Sequence, residues 1–244
     1  MNLPAEERRG YHEARLFRAA FRYSIPVLLG YLAIGFAFGL LLTDAGYPRW
    51  LSPLMSVLMF AGAGQFIAVG LFAAGTTLWE AVLVQLVVNA RHIAYGLSMM
   101  KKFGSAGPLR WYLIFGMTDE TFALLSSLPE NGDITERSRF MFHVTLLDHC
   151  YWVIGSVIGA IAGTLIPFDT AGIGYALTAL FVVLMVEQIL RLRRPGIFIV
   201  SAVPAVLCTF FLSSRFSLLA AMALALAFSS FLPKTNLPKN RDGT

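Results

Sequence analysis

The chain has 244 residues, of which 57% are hydrophobic and only 14% charged, with a mean hydropathy of +0.68. Soluble domains carry about 25% charged residues, so this composition excludes one and defines an all-α polytopic membrane protein. The net charge of +5 is scattered over loops and termini without a basic and aromatic array, which excludes nucleic-acid binding and reads as a topology signal.

Residues 1–20 are polar and charged and are expected to form a cytoplasmic, interfacial N-terminus. The first span is expected from Phe21 to Thr43; no small-residue cleavage site follows it, so it reads as retained. Gly35 and Gly39 in it have the four-residue spacing that lets a neighbouring helix approach closely. After a loop from Asp44 to Trp50, the second segment (Leu51 to Ala74) is interrupted by Gly62-Ala63-Gly64-Gln65. The third (Leu78 to Met100) is interrupted by Asn89-Ala90-Arg91-His92. An arginine with apolar sequence on both sides lies deep in hydrocarbon, at a cost of about 2.5–3.5 kcal/mol. Something must face it. Unpaired backbone at membrane depth is tolerated only where it is buried in protein or lines a cavity. Both interruptions are therefore expected to be helix breaks that meet and form a binding site.

Lys101 to Arg110 is a basic loop, and the fourth segment, Trp111 to Leu128, is short and carries Thr118, Asp119 and Glu120 at its middle. Pro129 to Arg139 reads as a loop. The fifth segment, Phe140 to Ile166, holds Asp148 and His149 and then Gly155, Gly159 and Gly163. The sixth, Gly174 to Leu190, ends in Glu187 and Gln188 before Arg191, Arg193 and Arg194. Pro195 to Phe211 and Phe216 to Leu232 form a last apolar pair, followed by a polar tail at 233–244. No stretch is long enough to build a separate soluble core, so residues 1–244 read as one transmembrane domain. Cys150 and Cys208 lie in apolar segments without metal or redox spacing; they read as packing residues, and no metal or cofactor is indicated.

If every segment crosses once there are eight spans. A cytoplasmic N-terminus then puts thirteen Lys/Arg inside and five outside. Lys101, Lys102 and Arg110 are the exceptions, and a re-entrant second segment would return them inside, so the count is seven or eight. A weak internal repeat aligns Gly35 and Gly39 with Gly159 and Gly163, Arg91 with Arg215 and, with one gap, Gln65 with Gln188. Paired interrupted segments of this kind point to a secondary transporter's midplane site.

The freed amides at Gly62, Gly64 and Gln65 open a half-helix whose positive dipole end suits a carboxylate. Arg91 is placed to take the same group, with Asn89 beside it, although Arg91 is equally readable as a structural charge paired to Asp119 or Asp148. An ammonium would need one of Asp119, Glu120, Asp148 and Glu187. A zwitterion with an apolar side chain fits this set. His92, Asp119, Glu120 and Asp148 are the candidates for handling a coupling proton. No hydrolase elbow, metalloprotease helix or phosphate loop is present, so enzyme chemistry is not indicated.

Phe-Ala-Gly-Ala-Gly-Gln-Phe at 60–66, Asn-Ala-Arg-His-Ile-Ala-Tyr-Gly at 89–96, Thr-Asp-Glu-Thr-Phe-Ala at 118–123 and the Ala179-Leu180-Phe181 region resemble the AzlC family. These are large subunits of bacterial branched-chain amino acid exporters, also described as the BrnF or YgaZ type. The resemblance implies a multi-pass inner-membrane permease exporting leucine, isoleucine, valine and often methionine, driven by the proton gradient. It also implies a small membrane partner of the AzlD type. The alternative is a scaffold or regulatory subunit whose partner lines the pathway.

Overall fold

The computed structural model describes residues 5–104, 106–129, 133–165 and 195–211, with Val182, Val186, Ala220 and Leu224 as single positions. The chain groups into two compact units, Met1–Leu177 and Thr178–Thr244. In the first, α1 is Ala5–Asp44, α2 Leu51–Leu58, α3 Ala63–Ala73, α4 Leu78–Phe103, α5 Leu109–Phe115, α6 Asp119–Ser126 and α7 Ile134–Leu165. In the second, α8 is Pro195–Phe211, matching the expected seventh segment, with Cys208 buried. Apart from those single positions the sixth and eighth segments lie outside the described residues, and so do Glu187, Gln188 and Arg215.

Among the described residues, two helices, His12–Asp44 and Ile134–Leu165, have the length and apolarity to cross a bilayer. The first helix starts earlier than the expected Phe21: α1 runs without a break from Ala5 through residue 20. Its buried stripe explains this, because Leu16 and Ala20 continue the face of Val27, Tyr31, Phe38 and Leu42 at helical spacing. α7 likewise starts six residues before the expected Phe140. Its first turns are held to α1 by ion pairs of Glu136 with Arg15 (3.5 Å) and His12 (3.7 Å), and of Arg139 with Glu13.

The α1–α7 crossing is the frame of the unit. A Cβ on Gly35 would come within 2.9 Å of the Trp152 carbonyl oxygen, and one on Gly155 within 2.8 Å of that of Leu32. On Gly39 and Gly159 it would collide outright with the carbonyls of Ser156 and Phe36. Only glycine lets the two backbones touch. Contacts advance together along both chains, from Phe17 with His143 through Phe21 with Tyr151 to Thr43 with Gly163. The two helices are therefore parallel, and their shared N-terminal end carries Arg15, Arg18, Arg22, Arg137 and Arg139.

Against this frame, α2 and α3 do not form one crossing. Ser52 and Ser56 reach Ser156 (3.0 and 2.8 Å), and Phe60, at the tip, stacks on His149 at 4.4 Å. The chain then turns back, with Gln65 donating to Ser56, Phe66 against Phe38, and Phe72 beside Tyr47 at the end where α1 finishes. This is a re-entrant hairpin. α5 and α6 form a second one from the other end. Leu109 lines a cavity with Glu13 and Arg139, Gly116 meets Thr145 at the tip, and Tyr23 binds the Leu124 carbonyl (3.0 Å) and Ser127 (2.8 Å) on the return.

α4 runs antiparallel to α1 between the two hairpins. Its start at Leu78 carries a Thr77/Glu80 capping box, and Lys102 near its end donates to the carbonyls of Ser126 (2.9 Å) and Leu128 (3.0 Å), neutralising the C-terminal dipole of α6. Leu86 and Ile93 are 63% and 66% exposed while Gln85 and Asn89 turn to the hairpin. Gln85, Leu86, Asn89 and Ile93 share the face of α4 that looks onto the first hairpin, where they border an open groove.

Two expectations change. The break at 89–92 does not exist, because α4 is continuous; the second discontinuity is at Gly116–Thr118, inside what reads as one fourth segment. A count of seven or eight spans needs the fourth segment to cross, and α5–α6 instead enters and leaves at the same end.

Replacing Gly159 with leucine is expected to destabilise the unit by about 1–3 kcal/mol through overpacking, read as a lower thermal midpoint in detergent. Gly30→Ala, with nothing within 4 Å of the added carbon, should leave that midpoint unchanged or raise it.

Candidate functional site

The first hairpin tip is held in a conformation that costs energy. Phe60 has φ 35°, unfavourable for a residue with a Cβ, and Gly62 has φ 36° at the start of α3. Stacking of Phe60 on His149 and its edge contact with Tyr31 (6.2 Å) compensate. Gly64 lies under α4, where a Cβ would meet Asn89 and Gln85 at 3.0 Å. Gln85 donates to the Gly64 carbonyl (2.8 Å), and Asn89 donates back to Gln85 (2.8 Å). Gln65 is wholly buried, accepts from Trp152 Nε1 (2.8 Å) and donates to Ser56 Oγ (3.3 Å). Both of its polar ends are taken by the protein, so it ties the tip to α7 and α2.

The second tip carries the charges. Thr118 caps α6 by accepting from the Thr121 amide (3.2 Å), so Asp119 and Glu120 fall in the first turn, where the helix dipole favours them. Being adjacent on a helix they diverge. Asp119 turns to α4, pairs with Arg91 (2.7 Å) and accepts from Tyr95 (2.6 Å). Glu120 turns to α1 and accepts from Tyr31 (2.7 Å). His92 lies half-buried, edge-on to Tyr95 at 6.1 Å.

α7 supplies the floor. Asp148 is fully buried and accepts from Thr121 (2.9 Å), while its Oδ1 is without a hydrogen-bond partner among the described residues. His149 joins both hairpins, contacting the Ser56 carbonyl through Nε2 (3.1 Å) and the Tyr112 hydroxyl through Nδ1 (2.9 Å). Asn89 Oδ1 and Arg91 Nε are likewise buried without a hydrogen-bond partner among the described residues. These three atoms offer one donor and two acceptors to something further.

The candidate residues thus assemble in two groups. Gly62, Gly64, Gln65 and Asn89 meet at the first tip; Arg91, Asp119, Glu120 and Asp148 meet around the second. Asn89 and Arg91, two residues apart, face opposite hairpins, so the two interruptions do not converge on one point as expected. A groove of about 630 Å³ runs between the first hairpin and α4, lined by Met55, Met59, Leu71 and Leu86, with Gln85 and Asn89 its polar members. Among the described residues, no cluster of His, Cys, Asp and Glu could hold a metal.

Sequence reasoning passed over Gln85, Tyr31, Tyr95, Thr121 and Trp152. Ser52 and Ser56, four apart in an apolar run, and Thr118 and Thr121, three apart, were the available signals of buried hydroxyl contacts.

Apolar outer surfaces around an inward cluster of charges, bracketed by opposed hairpins, are those of a helical membrane protein with a polar centre. The family model described as "AzlC protein" matches residues 26–166, which include both hairpins and α4. The chain belongs to the AzlC family. It is 39% identical over 180 residues to the "Branched-chain amino acid transport protein AzlC" of Bacillus subtilis (strain 168), covering 73% of this chain and 70% of that relative. To the "Inner membrane protein YgaZ" of Escherichia coli (strain K12) it is 30% identical over 183 residues, 72% and 74% of the two chains. To an "Uncharacterized membrane protein" of Helicobacter pylori (strain ATCC 700392 / 26695) it is 39% identical over 210 residues, 86% and 92% of the two. No solved structure matches.

Gln65→Leu removes the acceptor from a buried Trp152 N–H and is expected to cost about 1–3 kcal/mol. The loss should register as a lower melting midpoint and as exposure of Trp152 fluorescence to quenchers.

Proposed function

We propose that this protein is a secondary transporter of the bacterial inner membrane. It exports leucine, isoleucine and valine, and also methionine, by proton antiport, as the large subunit of a complex with a small membrane partner of the AzlD type. The observation that carries this is the Arg91–Asp119 pair held between α4 and the tip of the second hairpin. It occurs in a family with a relative named a branched-chain amino acid transport protein. Export, the partner and the coupling ion follow the family resemblance.

In this reading residues 1–244 work as one permease domain. Arg91, whose Nε is unused, exchanges part of its pairing with Asp119 for the substrate carboxylate, which accepts bidentate hydrogen bonds from a guanidinium. Gly62 and Gly64 stay with the first tip, on the other side of α4 from the Arg91 pair, and the Gly64 amide is already donated to the Ala61 carbonyl (2.7 Å). Glu120 is the acceptor for the ammonium, and the groove walled by Met55, Met59 and Leu71, with Asn89 at its polar edge, suits an aliphatic side chain. Gln65 keeps the tip in shape. His92 stands beside the charged pair as a second proton acceptor. The opposed hairpins are natural gates, since each unlocks one side of the centre.

The N-terminus is cytoplasmic in this proposal. Arg8, Arg9, Arg15, Arg18, Arg22, Lys101, Lys102, Arg110, Arg137 and Arg139 gather at one end of the unit, against Arg49 at the other. Ten basic residues against one support that orientation.

Leucine flux into or out of proteoliposomes under an imposed pH gradient, with and without the small partner, tests the proposal. Wild type should show gradient-dependent flux, and Arg91→Ala should reduce it by about a hundredfold or more, the loss of a partly buried charge-assisted contact. Unchanged flux in a well-folded Arg91→Ala protein would remove Arg91 from the substrate site. Absence of flux in wild type with its partner would end the transporter reading.

A further inference from the structure

Between Glu120 and Asp148 runs an unbroken line of hydroxyls. Tyr31 lies 2.7 Å from Glu120 Oε2 and 2.5 Å from Thr118 Oγ1. Thr118 Oγ1 lies 3.0 Å from Thr121 Oγ1, which lies 2.9 Å from Asp148 Oδ2. Tyr31, Thr118, Thr121 and Asp148 are each no more than 5% exposed. The four links join residues of α1, α6 and α7 at the level of the hairpin tips.

A count of hydrogens decides the state of this line. Each of the four oxygen–oxygen links needs one hydrogen between its atoms. The three hydroxyls supply three, because each donates once. The fourth must come from a carboxyl group. We infer that Glu120 and Asp148 share one proton, passed between them through the hydroxyls of Tyr31, Thr118 and Thr121.

The transfer balances. With the proton on Glu120, its O–H donates to Tyr31, Tyr31 to Thr118, Thr118 to Thr121, and Thr121 to the Asp148 carboxylate. One hop along each link breaks four O–H bonds and forms four. It leaves three intact hydroxyls pointing the other way, Asp148 protonated and Glu120 ionised. Both arrangements use the same four distances, so no side chain needs to move. The charged and titratable neighbours set the bias. Arg91, Asp119 and Tyr31 lie within electrostatic reach of Glu120; Glu120, Tyr31 and Tyr151 lie within reach of Asp148. His149 faces away, toward Ser56 and Tyr112. Resting on the transport reading above, this places the coupling proton: an ammonium arriving beside Glu120 favours its ionised form and sends the proton to Asp148.

Two measurements test the inference, one of them independent of transport. Infrared spectra of the purified full chain at neutral pH should contain a protonated-carboxyl band that the Glu120→Gln/Asp148→Asn double variant lacks. Tyr31→Phe, which keeps the ring against Phe60 and Trp152, should shift that band to higher frequency as the line opens. A wild type without this band, or a band indifferent to Tyr31→Phe, would overturn the shared proton whether or not the protein transports anything. In proteoliposomes, Tyr31→Phe and Thr121→Val should lower pH-gradient-driven leucine flux about tenfold or more relative to leucine counterflow, and Thr121→Ser should restore it. Equal ratios in wild type and variants would refute the route while leaving the transporter reading standing; absence of leucine flux in wild type would instead remove that reading, and the infrared result would still decide the proton.

Discussion

Backbone contact between α1 and α7 is the constraint on which the rest of the unit depends. Where Gly35 and Gly39 meet Gly155 and Gly159, the helices approach until carbonyl oxygens of one touch α-carbons of the other. In lipid no hydrophobic drive separates one helix surface from another, and close packing of this kind is what associates them. This close approach also fixes what stands on either side. Tyr31 of α1 and Trp152 of α7 come together at 5.4 Å, and the two hairpins fold onto the composite face these residues make. A wider crossing would carry Tyr31 away from Glu120 and Gln65 away from Trp152.

A second constraint follows from the hairpins themselves. Each exposes backbone ends at mid-depth, where an unsatisfied polar group costs several kcal/mol. The protein meets that demand with side chains from the frame and from α4. His149 takes the Ser56 carbonyl at the end of α2, Gln85 takes the Gly64 carbonyl, Thr118 caps α6, and Lys102 covers the far end of α6. Most of the polar residues in apolar sequence are thus already engaged. Among the described residues, what remains unpaired at the centre is small: Asn89 Oδ1, Arg91 Nε and Asp148 Oδ1.

Much of this was legible in the sequence, unevenly. The break at Gly62 is visible because glycine, alanine and glutamine interrupt an apolar run, and the glycine pairs of α1 and α7 announce a close crossing. The break at 89–92 was misplaced because Asn89, Arg91 and His92 look like a helix interruption when their partners are unseen. Asn89 bonds within its own helix to Gln85, and Arg91 has Asp119, so the helix passes through. The true second break, at Gly116–Thr118, hides in a segment short enough to pass for one crossing, with a single glycine to mark it. Hairpins escape hydropathy altogether, since down-and-back and straight-across have the same composition. The charge pattern carried the missing signal: Lys101, Lys102 and Arg110 violated the basic bias only under the assumption that the segment before them crosses. Tyr31 was invisible because a tyrosine in a span has no local pattern; only the fold brings it to Glu120.

The charges of the centre are arranged so that none stands alone. Arg91 and Asp119 neutralise each other across α4 and α6, and Glu120 and Asp148 hold a single negative charge between them through three hydroxyls. Such an arrangement is sensitive to any ion or zwitterion that enters, because the pairing it finds is complete but exchangeable. All of this rests on two hairpins that enter from opposite ends and stop midway. The most direct test is the depth of nitroxide labels at Trp50, Met59, Phe72 and Phe115 in lipid bilayers, from collision with oxygen and with a water-soluble relaxant. The account predicts Trp50 and Phe72 shallow on one side, with Met59 and Phe115 deeper, near the centre. A depth that changes steadily from Trp50 through Met59 to the opposite surface at Phe72 would contradict it.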